Sequence, residues 1–93
     1  LERRDEQLIA DIDLSGFGLA WEAFERDGQR VRAEFPEVDD NRYYPGFLRF
    51  LRGLQERSTF FYTGYFQRRY ERTARANLRR LVESLSARGY GPV

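Results

Sequence analysis

The stretch "RSTFFYTGYF", Arg57 to Phe66, decides the fold. Its β-branched and aromatic residues would suit a strand, and a strand here would make the protein a mixed α and β domain. The run is short, however, and nothing else in the chain reads as a strand with which it could pair. We read it as a connector whose rings pack on the core, with Thr63 placed to cap a helix that follows.

Working outward from the connector, each flank carries a helical pattern. Toward the C-terminus, Phe66, Tyr70, Ala74, Leu78, Leu81, Val82 and Leu85 form one apolar stripe, and Gly89 falls at the C′ position. On the other flank, Tyr43, Tyr44, Phe47, Leu48, Leu51 and Leu54 recur at helical spacing, behind an N-cap at Asp39 or Asp40 in "EVDDN". Pro45 lies within the first turn or two, so this helix is expected to start late or to kink. A further helix fits Ala20 to Phe35 through Trp21, Phe24, Val31 and Phe35. Gly28 weakens it by about 1 kcal/mol relative to alanine, and Pro36 closes it. The first helix fits Glu2 to Ile12, with Leu8, Ile9 and Ile12 on one face, and Gly16 and Gly18 end it. Four helices with no strand, repeat or linker predict an all-α fold, a single helical segment over residues 1–93.

Composition narrows the chemistry. The 93 residues have no Cys and no His, which removes disulfides, thiolate sites, the commonest general base and the commonest metal ligand. No apolar run approaches the roughly 20 residues needed to cross a bilayer, and no signal peptide is visible, so no membrane partner and a cytoplasmic location are expected. All 16 basic residues are Arg. Residues 1–41 hold five of them against twelve acids, a net charge of −7, whereas residues 42–93 hold eleven against three, a net of +8. The two halves are expected to pair within the molecule or across a dimer. The competing expectation is that Arg68, Arg69, Arg72, Arg75, Arg79 and Arg80 meet phosphates. These six read as spread around their helix, so nucleic-acid binding is not the favoured reading.

The other chemically suggestive stretch is "LIADIDLSGFG", Leu8 to Gly18, where apolar positions frame Asp11 and Asp13. Residues two apart on a helix point about 200° apart, so one carboxylate should be inside and the other solvated or capping. On spacing alone, Asp-x-Asp before Gly is an ordinary helix end.

In order and spacing, "DIDLSGFG", "VRAEFPEV", "LRFLRGLQERSTFFYT" and "RTARANLRRLVESL" resemble the C-terminal part of bacterial proteins described as predicted metal-dependent HD-superfamily phosphohydrolases. The resemblance runs from about Ile9 to Leu85. Its most specific pieces are "DIDLSGFG", Arg32 and Glu34 of "VRAEF", and "ARANL" from Ala74 to Leu78. It implies the C-terminal helices of an HD-type domain and a parent enzyme acting on phosphate esters, nucleotides among them. The divalent metal of that enzyme is held by a His, a His-Asp pair and a final Asp. The residue matching the final ligand is Asp13, with Asp11 second. The His and the His-Asp pair have no counterpart, so the 93 residues by themselves are expected to be an inactive fragment that binds no metal tightly. Leu1, Leu8, Ile9 and Ile12 already stand at helical spacing where the sequence starts, which also reads as a piece of something longer. The apolar faces of Leu8, Ile12 and Phe17 are then expected to be covered by a missing N-terminal half or by a homodimer partner. The rival reading is a non-catalytic helical interaction or regulatory module. For Trp21 and for Phe60, Phe61, Tyr62, Tyr65 and Phe66, core packing or a dimer contact is preferred over stacking on a base. For Arg32 and Glu34, an ion pair is preferred over a role near a metal.

Overall fold

A computed structural model describes residues 3–91, and over these the chain is helical without a strand. Helix α1 spans Arg3–Asp13, a 3₁₀ turn Ser15–Gly18, α2 Trp21–Ala33, α3 Asp40–Glu56 and α4 Gly64–Leu85, followed by a π-type turn Ser86–Tyr90. Leu1 and Glu2, where the first helical pattern was expected to begin, lie outside the described residues.

The elements begin and end where local chemistry favours it. Asp39 caps α3 by accepting from the Arg42 amide at 3.0 Å. Pro45 is the sixth residue of α3. The helix therefore starts before it and runs through it, and does not start late as one sequence reading allowed. Thr63 caps α4 toward the Phe66 amide. After α4, Gly89 adopts φ +93°, a left-handed conformation that residues with a Cβ rarely take.

The core lies between α3, the connector and α4. Leu48, Leu51 and Leu54 from α3 meet Phe66, Ala74, Leu78, Val82 and Leu85 from α4, and Phe60 and Phe61 fill the space between them with no exposed surface. The connector is thus a plug of two aromatic rings rather than a strand. The 3₁₀ turn supplies the fourth side. Its Phe17 ring sits 4.8 Å from Phe24 and 5.1 Å from Phe60, so Phe17 is packed inside and is not one of the uncovered residues.

Gly18 lets that turn approach α4. A Cβ at this position would stand 2.8 Å from the Cβ of Tyr70, an atom that every residue but glycine carries. Gly18→Ala is therefore expected to cost about 2 kcal/mol, the usual scale of overpacking. Shortening Tyr70 to alanine in the same chain should not restore the loss, a combination that urea denaturation of the two variants can check.

Candidate functional site

Asp11 and Asp13 separate as their spacing requires, and the inner member is Asp11. It is 1 % exposed, while Asp13 is open to solvent. One carboxylate oxygen of Asp11 accepts from the Tyr62 amide at 2.8 Å. The other accepts from the Thr63 amide at 2.8 Å and from the Thr63 hydroxyl at 2.7 Å. The negative group thereby sits at the N-terminus of α4, where the helix dipole favours it. Asp11 ties the first helix to the last across about 50 residues of chain.

Glu71 does the same work on the two preceding amides. Its carboxylate accepts from the Phe60 and Phe61 amides and from Arg75 Nε at 2.9 Å. Arg75 Nη2 in turn donates to the carbonyls of Arg57 and Ser58, and Gln67 Nε2 donates to that of Phe61 at 2.8 Å. Two carboxylates thus satisfy four consecutive amides, 60 to 63, in a segment with no strand or helix to satisfy them. The segment bends along most of its length, and its backbone is bonded by side chains in place of a neighbouring strand.

The other two motifs that carry the family resemblance also serve as clamps. Asn77 of "ARANL" is 6 % exposed and donates to the carbonyls of Phe17 at 2.8 Å and Leu19 at 2.7 Å, seating the 3₁₀ turn on α4. Arg32 of "VRAEF" donates to the carbonyls of Phe35 and Val38 and pairs with Asp40 at 2.9 Å, closing the loop between α2 and α3. The hydrogen bond to Asp40 raises the Arg32 pKa further, so its charge is permanent. The ion pair expected for Arg32 therefore forms with Asp40, and Glu34 is exposed. Asn77 and Glu71 were not legible as ligating groups. The available signals were an Asn inside an apolar helical stripe and the isolation of Glu71 among arginines.

Asp13 lines a groove of about 550 Å³ bounded by α2, the start of α3 and the end of α4. Trp21, Phe24, Tyr43, Phe47 and Leu85 give it apolar walls, and Arg32 and Arg88 also line it. The Arg32 guanidinium lies 4.4 Å from the centre of the Tyr43 ring and that of Arg88 lies 5.0 Å from the Tyr44 ring. Burial, followed by the neighbouring Tyr44, pushes the Tyr43 phenol above its usual range, so it stays neutral at physiological pH. Among the described residues, no three His, Cys, Asp or Glu side chains converge to hold a metal ion. Glu25 and Asp27 of α2 line the same groove as Asp13.

The apolar residues framing the acids point outward. Leu8, Ile9 and Ile12 are 42, 47 and 54 % exposed, while the inward side of α1 carries Gln7, Ala10 and Asp11. Leu8 and Ile12 are thus uncovered in the single chain. Among the described residues, the acidic and basic halves are not joined by salt bridges. The four ion pairs among the described residues are Asp27–Arg30, Arg32–Asp40, Glu71–Arg75 and Arg79–Glu83, and each lies within one half. The aromatic connector residues divide: Phe60, Phe61 and Phe66 are core, whereas Tyr62 and Tyr65 are half exposed beneath the guanidinium groups of Arg57 and Arg69, at 4.1 and 3.8 Å.

No family model matches the chain, and no curated protein or solved structure matches it. No helix of the described residues is long and apolar enough to cross a membrane.

Proposed function

We propose that this chain forms the C-terminal helices of a metal-dependent phosphohydrolase of the HD type, in which Asp13 contributes one carboxylate to a divalent metal. The observation that carries this reading is the outward orientation of Leu8, Ile9 and Ile12 on α1, with the exposed carboxylate of Asp13 ending the same helix. A helix that turns its apolar residues away from its own core is suited to packing against further helices. Asp13 then lies at the boundary between the two sets and beside an aromatic groove of ligand size. When bound, such a metal would supply an activated water for attack on phosphorus. The remaining ligands, a His and a His-Asp pair by the resemblance, would come from the parent protein outside these 93 residues. Asp11 has a different part in this reading: with three donors already on its carboxylate, it holds α1 at the angle that presents Asp13.

The test is metal content in the parent protein. Asp13→Ala is expected to lose stoichiometric metal and to lower phosphate-ester hydrolysis at least 100-fold, the scale of a lost ligand or its supporting shell. Its melting should stay close to wild type in the metal-free state, because the side chain is exposed. A variant that keeps its full metal complement would overturn the assignment. The alternative, a non-catalytic helical interaction module, draws support from the use of Asp11, Arg32 and Asn77 as clamps. A parent that purifies without metal and has no upstream His ligands would favour it.

A further inference from the structure

The Arg residues of α4 are not spread around the helix, and the reading that they are is corrected by their own spacing. Arg68, Arg72, Arg75 and Arg79 follow one another at steps of four, three and four within a continuous helix, and therefore share one side of it. The stripe is about 16 Å long at 1.5 Å per residue. Arg68, Arg72 and Arg79 are exposed, while Arg75 is committed to Glu71 and to two connector carbonyls. Arg69 and Arg80 lie off the stripe, with their guanidinium groups 3.8 Å over Tyr65 and 4.0 Å over Trp21.

Like charges at i, i+3 and i+4 disfavour a helix unless something neutralises them. The acids of α4 are Glu71 and Glu83. Glu71 is used by amides 60 and 61, and Glu83 stands 3.8 Å from Arg79 with both side chains more than 70 % exposed, which is a loose surface pair. None of the ion pairs among the described residues brings an acid of the −7 half to this stripe. The half-exposed rings of Tyr62 and Tyr65 stand at the N-terminal end of the same helix.

From this we infer that the exposed side of α4 is a binding surface for the phosphodiester backbone of a single-stranded nucleic acid, with Arg68, Arg72 and Arg79 on successive phosphates. Guanidinium groups match phosphate oxygens bidentately, and the flat tyrosine rings at the end of the stripe suit unstacked bases in a way that an acidic peptide would not use. The inference does not depend on the phosphohydrolase reading, because neither Asp13 nor the groove takes part.

Fluorescence anisotropy of a labelled single-stranded oligonucleotide of about 20 nucleotides, titrated with the 93-residue protein, tests it. Three phosphate contacts predict a slope of log K against log salt of about −2, or roughly 20-fold weaker binding on going from about 50 to 200 mM salt. Arg68→Gln, Arg72→Gln and Arg79→Gln together should flatten that slope. Glutamine keeps the helix propensity of these exposed positions, and circular dichroism would verify the fold. The control removes the same charge elsewhere, through Arg26→Gln, Arg42→Gln and Arg49→Gln, all exposed and outside α4, and should keep the slope. Equal losses in the two triple variants would overturn the inference, since binding would then follow net charge alone. So would the absence of salt-dependent binding. Competition by poly-glutamate as effective as that by the unlabelled oligonucleotide would also overturn it, in favour of an acidic protein segment.

Discussion

Replacing Asp11 by alanine is expected to lower the stability of the fold by about 4 kcal/mol, because it removes a buried carboxylate that two part-buried amides and a hydroxyl now bond. Each charge-assisted bond is worth about 1.5–3 kcal/mol and a buried donor left unmade costs about 1–3, with the sum reduced because the three share one acceptor group. Asp11→Asn should retain part of the loss. Wherever its NH₂ group is turned, it faces a backbone N–H, of Tyr62 or of Thr63, so one bond becomes a donor–donor contact. Urea denaturation measures the stability of both variants, and amide exchange locates the effect, since protection should fall first at residues 62 and 63. An alanine variant within 1 kcal/mol of wild type would mean that water replaces the carboxylate without penalty. The result also governs how metal binding is tested in the parent: loss of metal from an Asp11 variant reports a displaced α1, whereas loss from an Asp13 variant reports a ligand.

Phe60→Ala is expected to cost a similar amount, about 3–5 kcal/mol, by opening a cavity at the centre of the core. The ring has no exposed surface and lies 4.7 Å from Phe61 and 5.1 Å from Phe17. Its removal therefore takes support from the connector and from the 3₁₀ turn together. Near-ultraviolet circular dichroism and a denaturation series distinguish this outcome from a local one. A loss below about 1.5 kcal/mol would show that the connector can collapse into the space, which the bonds from Glu71 and Gln67 to its backbone oppose. Together the two variants ask whether the connector is held by its rings, by the carboxylates on its amides, or by both.

The four helices were legible because amphipathic periodicity and capping act over a few residues. The stripe Phe66 to Leu85, the cap at Thr63 and the stop after Phe35 depend on neighbours one or two turns away, and α4 and the end of α2 fall close to where those signals place them. The direction in which an apolar face points is not a local property. Leu8, Ile9 and Ile12 have the spacing of a core face, yet they face solvent, because α1 is turned so that Asp11 beside them points inward to the amides of Tyr62 and Thr63.

The absence of cysteine and histidine, the unequal charge of the two halves and the reading of "RSTFFYT" as a connector were determined by the sequence alone. Composition is independent of conformation, and a lone aromatic run has no strand to pair with. Only the tertiary structure decided which members of the suggestive motifs do what. It turned Asp11 inward and left Asp13 exposed, set Asn77 on the carbonyls of Phe17 and Leu19, and joined Arg32 to Asp40 rather than to Glu34. Hydrogen bonds between groups up to 60 residues apart in the chain set these roles, and such distances enter neither spacing nor local propensity.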